Sequence, residues 1–108
     1  MTETDAALVT RVLTMQGLTV RDGHLYTAEG VLVESLRARM HQYLESESGW
    51  APLLLWATRA GMAPIVSCHR PDHYVVWLRL PDARWVLSES PHPGRALCAA
   101  LICEGSTT

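Results

Sequence analysis

The densest group of side chains able to do chemistry is Cys68, His69 and His73. A nucleophilic thiol needs its base in contact at about 3 Å. Adjacent residues of a strand point to opposite faces, so Cys68 and His69 diverge and cannot form that pair. Cys68 is expected on the core side, acting as a small hydrophobe. His69 and His73 flank a tight loop over 70–72 and face each other, with Cβ atoms about 5 Å apart. Two imidazoles so placed can share a metal, or repel each other once protonated below about pH 6.5. A closed zinc site takes a full tetrahedral ligand set, and this spacing matches no finger or knuckle. His24, His92 or Asp72 would have to complete it from elsewhere, so a solvated strand end is the simpler reading.

The remaining candidates are weaker. Cys98 and Cys103 on one helix point about 140° apart, too far round for a relaxed disulfide. Three cysteines without a CxxC pair fit reduced thiols in a cytoplasm. Ser88 and Ser90 lack the strand-to-helix elbow that exposes a nucleophilic serine, and the His nearest to them is His92, in a Pro-flanked turn. There is no phosphate loop, no dinucleotide fingerprint and no carboxylate pair placed as acid and base. The expectation is a protein with no catalytic residue, no metal and no cofactor. The alternative is a small metal-binding or thiol enzyme built on His69 and His73.

The elements that must position these residues follow from periodicity and turn formers. A helix is expected over about 4–16, with Leu8, Val9, Val12, Leu13 and Met15 inward and Gly17 past its end. Residues 18–26 read as a hairpin around Asp22-Gly23, placing Leu18, Val20 and Leu25 on one face. Thr27 is expected to cap a helix over 28–45, where Val33, Leu36, Met40, Tyr43 and Leu44 form a stripe. A further helix is expected over 50–60, with Pro52 in its first turn and Leu53, Trp56, Ala57 and Ala60 inward. Residues 64–69, 73–80 and 85–89 read as an antiparallel meander, and Pro93 starts a last helix running to about Cys103. The fold class is α+β, in the order α-ββ-α-α-βββ-α, with helices on one face of the meander. The whole chain, 1–108, is one domain, with 105–108 a frayed tail.

Pairing His69 with His73 and Leu80 with Trp85 sorts the meander into two faces. Val66, Cys68, Tyr74, Val76, Leu78, Leu80, Trp85 and Leu87 fall on the core side. The other side carries Ile65, Val75, Trp77 and Val86 as an apolar patch, bordered by Arg79, Ser67, His69 and His73. A Trp beside an Arg within an apolar patch is a common composition of protein-binding sites.

Composition narrows the classes. The chain has 108 residues, 48% hydrophobic and 19% charged, enough apolar material for a core and too much for a disordered chain. No apolar run reaches the roughly 18 residues needed to span a bilayer, and the acidic N-terminus lacks the order of a signal peptide. Basic and acidic residues nearly balance at net −2, which gives no electrostatic case for nucleic acid. Lys, Phe and Asn are absent. All three have AT-rich codons, so the bias points to a high-GC genome.

Residues 50–104 resemble the small phage proteins called ABA sandwich domains. The likeness rests on the Trp-bearing helix Trp50-Ala51-Pro52-Leu53-Leu54-Leu55-Trp56-Ala57, the Trp-containing meander and the proline-led closing segment from Ser90 to Leu101. It covers about half of the chain and carries over no catalytic residue. The resemblance implies a phage or mobile element of a high-GC bacterium. Small proteins from that setting often inhibit host defence by occupying a protein surface, as anti-CRISPR proteins do. The expected function is therefore a non-enzymatic, cytoplasmic accessory protein that binds a host defence component or a second copy of itself. A structural or homo-oligomeric phage protein is the further alternative. Neither nucleic acid nor membrane is an expected partner.

Overall fold

The computed structural model describes residues 5–102 and 106–107. Within them the chain runs α1 (Asp5–Met15), β1 (Thr19–Arg21), β2 (His24–Tyr26), β3 (Leu32–Ser35), α2 (Leu36–Glu45) and α3 (Glu47–Arg59). It continues with β4 (Ala63–Arg70), β5 (His73–Arg79), β6 (Trp85–Ser90), α4 (Pro93–Leu101) and β7 (Ser106–Thr107). The fold is α+β. Its strands form two antiparallel sheets, β1-β2-β3 and β4-β5-β6-β7.

In α1, Leu8, Val9, Val12 and Leu13 are buried, while Met15 in the last turn is exposed. Gly17 ends the helix at φ +85°, a conformation that disfavours any Cβ. Asp22 and Gly23 both have positive φ, as a tight hairpin turn requires, and pair Val20 with the buried Leu25.

The helix expected over 28–45 is shorter, and its first part is a strand. Gly30 sits at φ +84° in a turn where its N–H reaches the Thr27 carbonyl. That backbone cannot continue into a right-handed helix. The chain doubles back instead, and the apolar segment Val31-Leu32-Val33 feeds β3, which pairs with β2 through a bulge at Leu25/Tyr26. Ser35, not Thr27, caps α2, its Oγ accepting from the Ala38 N–H at 3.2 Å. Helix α3 starts earlier than Pro52 suggests and ends at Gly61, φ +87°.

A polar network ties β3, α2 and α1 together. Arg39 Nε and Nη2 donate to Glu34 Oε1 at 2.9 and 2.6 Å, and Nη1 donates to the Tyr43 hydroxyl at 3.2 Å. Gln42 donates to the other Glu34 oxygen, and Tyr43 donates to Gln16 Oε1, just past the end of α1. Burial works against the Arg39 charge, but the hydrogen bonds to Glu34 and Tyr43 outweigh it and hold its pKa above the usual value.

The inner face of the larger sheet buries Val76, Leu78 and Val86 against α4, whose Ala96, Leu97, Cys98, Ala100 and Leu101 are all buried. Helix α4 packs on β4, β5 and β6 and also on α1, α2 and α3. Gly94 at its start lies so close to α2 that a Cβ would collide with the Tyr43 carbonyl oxygen. In the region expected to be a frayed tail, Ser106–Thr107 pair with β6 as β7, while Gly105 and Thr108 lie outside the described residues.

The β6 register corrects the sequence reading. Trp85 pairs with Arg79, not with Leu80. The Leu80 N–H donates to the Arg84 carbonyl at 2.7 Å and the Ala83 N–H to the Leu80 carbonyl at 2.9 Å, so the loop spans only 81–83. Ala83 completes it at φ +71°, the position glycine normally takes. Hydrogen bonds from the Arg84 backbone N–H and guanidinium hold the Asp82 carboxyl below its ordinary range. Removing one residue from the expected loop exchanges the two faces of β6. Val86, Ser88 and Ser90 point inward, and Trp85, Leu87 and Glu89 outward.

Two substitutions test these constraints in thermal melts. Gly94→Ala is expected to destabilise by about 1–3 kcal/mol, because α2 and α4 must separate to admit the methyl group. Ala83→Gly is expected to raise the melting temperature, since it relieves a left-handed alanine worth roughly 1 kcal/mol. An unchanged melt for the first, or a lowered one for the second, would contradict the packing or the loop described.

Candidate functional site

The candidate site is the outer face of the larger sheet. Strand pairing lays its side chains in three rows across β4, β5 and β6. Ile65, Trp77 and Leu87 form the middle row. Ala63, Arg79 and Trp85 lie on one side of it, and Ser67, Val75 and Glu89 on the other. Ile65 on the edge strand β4 is 52% exposed and Trp77 on the interior strand β5 is 38% exposed, a large value for an apolar side chain there. The helices that contact this sheet bury its opposite face, through Val76, Leu78 and Val86.

Of the residues singled out in the sequence, Ile65, Trp77 and Arg79 come together on this face as expected. Val75 lies on the same face but is only 5% exposed, shielded by its neighbours, so it adds little contact surface. Val86 is fully buried on the inner face and is no part of the patch. Its place is taken by Trp85 and Leu87, both half-buried. Periodicity does not reveal this substitution, because the two alternating sets of β6 each contain apolar residues. The signal lies in the 81–83 loop, whose left-handed position is filled by an alanine rather than a telltale glycine.

His69 and His73 do face each other, their ring centroids 5.4 Å apart. A bulge between Cys68 and Arg70 pairs His73 with Arg70 in the backbone ladder. His73 Nε2 lies 3.3 Å from Glu89 Oε1, so the imidazole has a carboxylate partner within the sheet. Among the described residues no group of three or more His, Cys, Asp or Glu side chains is placed to hold a metal ion. His24 sits in the other sheet, its ring bonded to the Asp22 carbonyl, and His92 stands at the start of α4.

The cysteines divide by environment. Cys68 is exposed, not a core residue, because it lies near the hairpin end of β4, and its thiol donates to the Arg70 carbonyl at 3.2 Å. Cys98 is buried in α4, and burial pushes its thiol up to about 12, with the Arg95 charge pulling weakly the other way. Cys103 lies outside the described residues. Ser90 is buried with its Oγ accepting the His92 N–H, a turn-stabilising contact.

A concavity of about 590 Å³ is lined by α2 and by residues at the start of α4. Arg37, His41, His92 and Arg95 line it together with Asp5 and Glu45. Arg95 pairs with Asp5 and His41 with Glu45, so its charges largely satisfy one another. Among the described residues no helix is long and apolar enough to cross a membrane.

The arrangement defines an α+β protein with one sheet face buried under helices and an aromatic–aliphatic row on the other. No protein-family model, curated protein or solved structure matches the chain.

Thiol chemistry reports directly on the two environments. In a Cys103→Ser background at about pH 8, a thiol reagent is expected to modify Cys68 in the native protein and Cys98 only after unfolding. Equal rates at both positions in the native state would show that α4 is not buried as described.

Proposed function

We propose that this protein is a non-enzymatic binding protein whose docking surface is the outer face of the β4–β5–β6 sheet. The observation that carries the reading is the Ile65–Trp77–Leu87 row, an apolar band at the middle of a face whose partners among the helices all lie on the other side. Contiguous exposed apolar side chains rimmed by polar ones are a common mark of an interaction site. Trp77 is the natural anchor, a large rigid side chain beside the cationic Arg79, and such residues dominate interface energetics. The likeness of residues 50–104 to small phage proteins favours an accessory protein of a phage or mobile element. It acts by occupying a protein surface in the host cytoplasm, and components of bacterial defence are the first partners to try.

Truncating Trp77 separates binding from folding. Trp77→Ala is expected to cost 2 kcal/mol or more of binding, roughly a thirtyfold loss of affinity for a captured partner. Its melting temperature should stay close to the parent's, because Val76 and Leu78 on the inner face are untouched. A loss of about 3–5 kcal/mol of stability would instead mark Trp77 as a core residue. Capture by Trp77→Ala at full strength would remove the face from consideration.

A further inference from the structure

We infer that in the isolated protein this face is closed by a second copy of the chain, the two sheets packing face to face about a two-fold axis lying along the Ile65–Trp77–Leu87 row. The inference rests on the docking reading above and names its occupant. Such an axis reverses strand direction and returns the middle row onto itself, so apolar residues meet apolar residues. It also exchanges the two flanking rows. The row holding Arg79 falls on the second copy's row holding Glu89, one strand apart and within reach of long side chains.

Arg79 and Glu89 suit that arrangement and cannot pair with each other within one chain. Arg79 and Glu89 stand on opposite sides of the middle row, about 13 Å apart along the strands, too far to pair intramolecularly. Arg79 has no ion pair among the described residues, and Glu89 is bonded only on one side, to His73. Each copy thus presents one cation and one anion disposed symmetrically about the apolar row. A two-fold contact converts this into two reciprocal ion pairs, the self-complementarity an isologous interface requires. The packing is that of an ordinary β-sandwich, with the sheets about 10 Å apart. The face is small, so the association is weak and is read over a concentration range.

Sedimentation velocity from about 1 to about 500 µM tests it. The parent is expected to pass from monomer to dimer within that range, and Trp77→Ala to stay monomeric. Arg79→Glu and Glu89→Arg should each weaken the dimer about tenfold by placing like charges opposite one another. The double variant Arg79→Glu/Glu89→Arg should recover the parent's affinity, with melts confirming that all four variants fold. A parent that stays monomeric throughout, or a double variant no better than the singles, overturns the inference. If the parent stays monomeric while Trp77→Ala loses capture of another protein, the dimer falls and the docking reading stands. If the parent dimerises but Trp77→Ala dimerises equally well, the copies meet through another surface and the inference falls, while the docking reading is still decided by capture.

Discussion

The structure hangs on the burial of α4 among all its neighbours at once. A helix usually commits one stripe to the core and leaves the rest to water. Here Ala96, Leu97, Cys98, Ala100 and Leu101 are all buried, because the larger sheet covers one side and α1, α2 and α3 cover the others. Small residues make this possible. Gly94, Ala96 and Ala100 let other elements approach where a larger side chain would hold them apart, most tightly at the Tyr43 carbonyl of α2. Leu97 and Leu101 fill the remaining space against Val76, Leu78 and Val86 of the sheet.

This arrangement explains why the sheet's two faces differ so sharply. With α4 covering β4, β5 and β6 and α3 resting on β4, the inner face receives the helical layer. The remaining helices stack on α4 rather than on the sheet's outside. The smaller sheet lies against α1 and α2, anchored by Leu25 and by the Glu34–Arg39–Tyr43–Gln16 network. Its edge strand β3 exposes Leu32 and Val33, with Val31 exposed just before it, yet the bulge opposite Leu25 and Tyr26 distorts that edge. Bulges are a recognised way of making an edge a poor template for further pairing. In the larger sheet the irregularity between β4 and β5 falls at the hairpin end, between Cys68 and Arg70, clear of the apolar row. The strands of this sheet are regular from Ala63 to Cys68 and from Tyr74 to Arg79, and its apolar row is continuous.

The composition of that face depends on one backbone conformation. With the 81–83 loop closed through Ala83, Trp85 and Leu87 join Ile65 and Trp77 and Val86 enters the core. A loop longer by one residue would bury Trp85 and Leu87 and leave Val86 outside, a smaller and flatter patch. The aromatic character of the site is thus set by a turn that carries none of its residues.

The amino-acid sequence by itself determined the α+β class, the meander, the pairing of β4 with β5, the start of α4 at Pro93 and most of the inward stripe of α1, Leu8, Val9, Val12 and Leu13. Each of these follows from local periodicity and from turn residues with few alternatives, such as Asp22-Gly23, Pro71-Asp72 and Pro93. It also placed Ile65, Trp77 and Arg79 together on one face, because period-two alternation is unambiguous within a single well-patterned strand pair. Tertiary structure alone decided the rest. Whether 31–35 is strand or helix turned on pairing with β2 across the Gly30 turn, which overrides the helical spacing of Val33, Leu36 and Met40. The face that β6 shows turned on an alanine held left-handed by the hairpin around it, and both faces of that strand are apolar enough to be buried. Cys68 is exposed near the hairpin end of β4, where a bulge breaks the pairing with β5, an irregularity that strand periodicity does not reveal.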